Sequence, residues 1–216
     1  MAKTNTSLVL RVCRADFTSH GGFQWPNEVG ATVQADDYRN DNECGRGLHG
    51  WLHGQGDISC VDYWDADDAK WLVLEVASDE ITMLGGKCKF PRAVVRFIGA
   101  KSEAAAYILQ HEPLAREVAV IGACLKAGDK ETVLVGGLGT ATAGYRGTAT
   151  AGESGTATAG NYGTATAGEK GEIRVQWWDE KAERYRTVIG YVGEDGIKPD
   201  TPYRLDSKHR FVEVSK

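Results

Sequence analysis

The sequence lacks any long hydrophobic run. Its 216 residues are 42% hydrophobic with a mean hydropathy of −0.36, and no stretch is apolar for the length that crosses a bilayer. No basic start followed by an apolar secretory segment opens the chain. The five cysteines are odd in number and widely spaced, which argues against a secreted disulfide framework. We therefore expect a cytoplasmic protein that has no membrane partner.

Concentrated charge and the common nucleotide motifs are also missing. The net charge of −5 is too mild to indicate a nucleic-acid binder, although it does not exclude one. The sequence contains neither the Gly-x-x-x-x-Gly-Lys phosphate loop nor the Gly-x-Ser-x-Gly nucleophile elbow. No cofactor is therefore predicted.

What the chain does have is an eight-residue repeat, Gly-Thr-Ala-Thr-Ala-Gly-x-x, which fills residues 139–170 in four near-identical copies. Threonine and alanine alternate with the period of two that is typical of a β-strand. In the flanking octads the alanines become larger apolar residues, such as Val133 and Ile173. Alanine is therefore predicted to point inward and threonine outward, with glycine permitting the turns. This pattern predicts a thin, flattened β-solenoid with two octads per coil.

The complete fold is predicted to be mainly β. A small α+β domain at residues 1–111 contains strands at 8–12, 71–76 and 93–98, and a capping helix near 102–110 that starts at Ser102. The β-solenoid follows at 112–176, and a C-terminal β cap fills 177–216. Trp177 and Trp178 come directly after the last octad, so we expect one of these rings to close the alanine core.

Residues 143–150 resemble the octapeptide of bacterial ice nucleation proteins, which also couples Ala-Gly-Tyr to a Thr-x-Thr strand. The resemblance implies outward threonine rows that order water, about 7 Å apart along a strand and about 4.8 Å apart between coils. Each face would carry two such strands in the perfect copies, and so small a grid favours a binding surface over ice nucleation. The predicted binding surface consists of Thr140, Thr142, Thr148, Thr150, Thr156, Thr158, Thr164, Thr166, Tyr145, Tyr162, Trp177 and Trp178.

A second resemblance concerns the N-terminal strands. Residues 8–12, the loop 45–49 and residues 71–76 are similar to the opening elements of ADP-ribosyltransferase-like folds. This resemblance implies an NAD site, for which Arg11, His49 and Glu75 are the candidate catalytic residues. The chain lacks the Ser-Thr-Ser triplet and the paired Glu-x-Glu of that family, so we favour a protein without enzymatic activity.

The glycine-rich loop that follows residue 43 offers a candidate metal site. Thiolate and imidazole are good zinc ligands, and the candidate ligands are Cys44, His49, His53 and Cys60. Their spacing matches no common zinc finger, and the alternative is a hydrogen-bonded loop without metal.

The segment 22–26 and the Gly-Leu-His loop also resemble uncharacterised proteins of phages and mobile elements that carry Gly-Thr-Ala-Thr-Ala-Gly arrays. That resemblance implies a host protein or protein complex as the partner. We therefore predict a non-enzymatic interaction protein, phage- or prophage-encoded, that inhibits an antiviral defence system. The alternatives are an NAD-using ADP-ribosyltransferase-like enzyme or its degenerate relative, and a repeat protein that orders water or ice. Oligomerisation through a solenoid face or end is left open.

Overall fold

The computed structural model describes residues 5–62, 64, 66 and 68–214. The chain divides into two compact units, Met1–Val120 and Ile121–Lys216. Across the described ranges, no helix combines the length and the apolar character that a membrane span requires. The solenoid and the C-terminal strands share the second unit because they hydrogen-bond to each other. The predicted boundaries at residues 111 and 176 stay predictions.

The first unit is built on a seven-stranded sheet in which every recorded strand pair is antiparallel. β1 and β4 lie near its centre and are buried almost throughout, as expected for strands rich in Leu and Val. The strand order is β2-β7-β4-β1-β3-β6-β5. The strands are β1 (Thr6–Cys13), β2 (Thr32–Gln34), β3 (Leu48–Leu52), β4 (Lys70–Ala77), β5 (Thr82–Met83), β6 (Cys88–Phe90) and β7 (Arg92–Gly99).

Helix α1 (Lys101–His111) packs on the sheet of its own unit, against β1, β4 and β7. Ala104, Ala105 and Ile108 are its buried residues. The helix begins one residue before the predicted cap Ser102, because the Glu103 carboxylate accepts a hydrogen bond from the Ala100 N–H at 2.9 Å. The first unit thus contains a two-layer core of sheet and helix.

The second unit begins with the solenoid, whose strands pair in parallel with a constant offset of sixteen residues, as in Thr140 opposite Thr156. This offset confirms the prediction of two octads per coil. The strands are β8 (Cys124–Lys126), β9 (Thr132–Leu134), β10 (Thr140–Ala143), β11 (Thr148–Ala151), β12 (Thr156–Ala159), β13 (Thr164–Ala167) and β14 (Glu172–Asp179). Even-numbered strands form one ladder and odd-numbered strands form the other.

The core of the solenoid consists of alanine methyl groups. The inward alanines of β10 to β13 are at most 3% exposed, and the threonines between them face outward. Larger side chains, Val135, Ile173 and Val175, are equally buried at the two ends of the array. The predicted orientation of both residue types is therefore confirmed.

The glycines at the corners have a different role from the predicted one. The left-handed residue of each turn is the second variable position of the octad, with φ of 55° at Arg146 and 54° at Ser154. The corner glycine is required by close approach: a Cβ on Gly160 would lie 2.6 Å from the backbone of Gly144 in the neighbouring coil. Only hydrogen fits between stacked turns.

β14 is longer than the other solenoid strands because Gln176 stands where the earlier coils have the corner glycine, and the chain runs straight on. It pairs with β15 (Arg184–Tyr191), while β16 (Tyr203–Leu205) joins β13 and pairs with β17 (Phe211–Glu213). Tyr203 lies opposite Ala165 and is buried. The prediction that a tryptophan closes the core is wrong, because Trp177 is only half-buried and Trp178 is exposed.

Candidate functional site

The two outer surfaces of the solenoid are candidate binding faces. The first face is formed by the outward positions of β8, β10, β12 and β14, which are Cys124, Lys126, Thr140, Thr142, Thr156, Thr158, Glu172 and Arg174. The second face is formed by the outward positions of β9, β11 and β13, which are Thr132, Leu134, Thr148, Thr150, Thr164 and Thr166. In-register parallel pairing turns each face into straight columns.

The two faces differ in charge and in the length of their threonine columns. On the first face, the threonines lie between Lys126 and an ion pair of Glu172 with Arg174. The second face carries no charged side chain on β9, β11 or β13, and one of its columns has three threonines, Thr132, Thr148 and Thr164. Thr132 was not among the residues predicted from the sequence, although its position in the octad register was the available signal.

The spacing of each grid follows from β geometry. Threonines two residues apart on a strand are separated by about 7 Å, and successive coils are separated by about 4.8 Å. The three-threonine column therefore spans two coil spacings, or about 10 Å. The second face is a small, flat, uncharged grid of hydroxyl and methyl groups.

The aromatic residues of the predicted binding surface lie at one corner of the solenoid and in the adjoining extension of β14, away from the threonine columns. Tyr145 and Tyr162 meet edge-to-face with ring centroids 5.9 Å apart, and the Arg146 guanidinium lies over both rings. Trp177 lies in the overhanging part of β14, which is the end of the strand that extends past the solenoid corner. Its ring stacks on that of His209 with the ring centroids 3.6 Å apart. The structure therefore separates the predicted surface into threonine faces and an aromatic corner.

In the first unit, Arg11 and His49 line a cavity of about 460 Å³ together with Trp25 and Trp51. The Arg11 guanidinium lies 5.1 Å from the centre of the Trp25 ring and donates to the His49 carbonyl at 3.3 Å. Burial, helped by the positive charges of Lys87 and Arg11, lowers the pKa of His49 to about 4. His49 is therefore a neutral imidazole near pH 7.

Glu75, the third candidate catalytic residue, is not in this cavity. It pairs with Leu8 on β1, three positions from Arg11, and side chains an odd number of positions apart on one strand face opposite sides of a sheet. Its carboxylate instead forms a two-point ion pair with Arg96, at 2.8 and 3.2 Å. The NAD site stays a prediction for which the structure brings together Arg11 and His49 but not Glu75.

The structure does not bring the four candidate metal ligands together. Cys44, His49 and Cys60 line the cavity, but among the described residues no group of three or more His, Cys, Asp or Glu side chains is arranged to hold a metal ion. His53 lies just past the end of β3 in a left-handed conformation, with its Nδ1 3.3 Å from the Glu112 carboxylate. Because His53 lies beyond the strand, its side chain contacts Glu112 and does not line the cavity.

Comparisons with known proteins match this chain to one domain family and to ice nucleation proteins. Residues 7–110 match a protein family described as a domain of unknown function (DUF7666). The chain is 37% identical over 109 residues to an ice nucleation protein of Xanthomonas campestris pv. translucens, covering 50% of this chain and 7% of that protein. It is 34% identical over 111 residues to ice nucleation protein InaU of Pantoea ananas, covering 50% of this chain and 10% of that protein.

An ice nucleation protein of Pseudomonas fluorescens is 35% identical over 108 residues, covering 49% of this chain and 9% of that protein. The chain therefore spans at most about a tenth of the length of these curated relatives. No solved structure matches. The similarity confirms ice-nucleation-like repeats on a β-solenoid.

These relatives overturn one expectation. The prediction of a phage-encoded inhibitor of host defence is wrong, since the similar proteins are named for ice nucleation and support the water-ordering alternative. The wrong expectation rested on the short threonine grid, whose small size was taken as evidence against ice nucleation.

Proposed function

We propose that the solenoid orders water and binds ice through its second face. The observation that carries this proposal is the in-register threonine column of β9, β11 and β13, which stands beside Thr150 and Thr166 without an intervening charge. The similarity to proteins named ice nucleation proteins supports the same reading.

The physical basis is preorganisation. Each threonine presents a methyl group and a hydroxyl on a hydrogen-bonded strand, paired on both sides at β11 and β13 and on one side at the edge strand β9, so little entropy is lost when water is held at repeated positions. Charged groups orient water around themselves, and the first face places Lys126, Glu172 and Arg174 at the ends of its grid. On the second face β9, β11 and β13 carry no charge, and the exposed Arg204 of β16 flanks only the β13 end, so the three-threonine column is better suited to a regular lattice.

The size of the threonine grid determines whether the protein adsorbs to existing ice or nucleates new ice. A patch of about 10 Å by about 7 Å offers far less area than a critical ice nucleus needs under mild supercooling. We therefore expect the isolated solenoid to adsorb to existing ice crystals and to have little nucleating activity. A longer stack of the same coils would template a larger nucleus.

The test replaces threonines with lysine on one face at a time. Thr150→Lys with Thr166→Lys should abolish adsorption of the fluorescently labelled protein to a growing ice surface, because two charges break the lattice match. The matched pair Thr142→Lys with Thr158→Lys occupies the equivalent positions of the first face and should retain adsorption. Equal adsorption by both variants, or no adsorption by the wild-type chain, would contradict the proposal.

Array length provides a second arm of the test. Inserting further copies of residues 139–154 after residue 154 adds whole coils in register, because partners are sixteen residues apart. The freezing temperature of protein-containing droplets should rise with each group of added coils. A freezing temperature that does not depend on coil number would argue that these faces do not template ice.

A further inference from the structure

One corner of the solenoid differs chemically from the other although both make the same turn. At the aromatic corner, the two variable positions of successive coils are Asp129-Lys130, Tyr145-Arg146 and Asn161-Tyr162, and the corresponding octad positions Trp177 and Trp178 lie in the straight extension of β14. At the opposite corner they are Gly137-Leu138, Glu153-Ser154 and Glu169-Lys170. Arg146, Ser154, Tyr162 and Lys170 share nearly the same left-handed φ, between 54° and 60°. The fold therefore does not require aromatic residues at this corner.

The aromatic corner borders an open cleft of about 820 Å³. One side is formed by Tyr145, Asn161 and Tyr162, and the other by the overhanging ends of β14 and β15 with the loop after β16. Several rings in the cleft are exposed: Tyr162 at 71%, Tyr185 at 55% and Trp178 at 42%. Trp178 and Tyr185 meet edge-to-face at 5.0 Å, which holds the two rings in fixed orientations.

Polar side chains line the same cleft, and several of them are unused by the fold. Asn161, Gln176 and Glu180 make no side-chain hydrogen bond or ion pair to another described residue. Asp206 is engaged, because it accepts from the Arg210 backbone N–H at 2.9 Å and pairs with its guanidinium. The cleft thus offers two amides and one carboxylate beside exposed aromatic faces.

We propose that this cleft binds a neutral oligosaccharide of β-linked glucose-type units. In such sugars the hydroxyls lie around the ring edge and the two ring faces consist of C–H groups, which stack on aromatic rings. Amide and carboxylate groups beside the rings satisfy the hydroxyls. With no Lys or Arg in the described lining and Arg146 engaged by two of its rings, the cleft lacks the row of free cations that nucleic acid and anionic sugars require.

The proposal is tested by titrating the full chain with cellohexaose and with N-acetylchitohexaose in a calorimeter. At least one of the two should bind saturably. Tyr185→Ala removes a ring from the cleft and should weaken that binding by about tenfold or more. Tyr191→Ala is the matched control, since Tyr191 lies on the same strand with 50% exposure but outside the cleft, and it should change the affinity by less than about twofold.

Three outcomes would overturn the inference. They are no saturable heat with either sugar, equal loss of affinity in both tyrosine variants, and a chain that sediments as a dimer which Tyr162→Ser dissociates. The last result would assign the aromatic corner to self-association. The threonine faces are separate from the cleft, so the ice-adsorption assay gives an independent result for the same variants.

Discussion

The sheet of the first unit and the solenoid of the second are both built from β-strands, but they form their cores in opposite ways. In the sheet, β1 pairs with β4 across more than fifty residues, and large side chains such as Leu72, Leu74 and Phe90 fill the space. In the solenoid, partners are always sixteen residues apart and the core is alanine. The sheet is stabilised by apolar burial, whereas the thin solenoid depends on its hydrogen-bond ladders and on close coil contact.

The largest expected effect comes from enlarging the side chains of the solenoid core. Replacing Ala149 and Ala157, which lie fully buried on different ladders, with leucine should lower the free energy of unfolding by about 5 kcal/mol in total, near the upper end of the range for over-packed sites. Thr150→Ser with Thr158→Ser should change it by less than about 1 kcal/mol. Urea denaturation provides the measurement, and equal losses for the two pairs would refute the assigned orientation.

The repeat explains why so much of the solenoid could be predicted. Strand positions, inward alanines and two octads per coil all follow from local periodicity, and all are confirmed by the pairing of Thr140 with Thr156 and by the buried alanines. The role of the corner glycine could not be predicted, because it depends on how near the next coil lies. For the same reason, the straight path of β14 beyond Gln176, where the corner glycine is missing, could not be predicted.

The first unit was harder to predict because its contacts are distant in sequence. Strands at 8–12, 71–76 and 93–98 were found, yet their order in the sheet has no local signal. Arg11 and Glu75 were grouped from a resemblance, and only the register between β1 and β4 shows that they face opposite sides of the sheet. A cavity that joins Arg11 to His49 and Trp25 likewise depends on tertiary packing.

A smaller effect is expected from glycine substitutions that separate backbone conformation from coil contact. Gly160→Ala should cost about 2 kcal/mol, because the added Cβ must displace the neighbouring backbone at 2.6 Å. Gly85 in the first unit has φ of +85° and open space around it, so Gly85→Asn should cost less than about 1 kcal/mol, since asparagine tolerates the left-handed region. Urea midpoints compare the two variants. If Gly160→Ala lowers the urea midpoint less than Gly85→Asn does, neighbouring coils can move apart to accommodate the added Cβ.

The first unit should also show an effect of pH on its stability. The pKa of His49 falls from 6.5 to about 4 on folding, because burial and the charges of Lys87 and Arg11 disfavour the imidazolium, while Asp37 acts weakly in the other direction. Between those two pH values the unfolded chain binds a proton that the folded chain does not, so stability falls as the pH drops from about 6.5 to about 4. His49→Asn should reduce the difference between the urea midpoints at about pH 7 and about pH 4.5, and Lys87→Met should reduce it less. If His49→Asn retains the full wild-type difference, the acid sensitivity arises from other groups and the buried neutral histidine does not contribute to it.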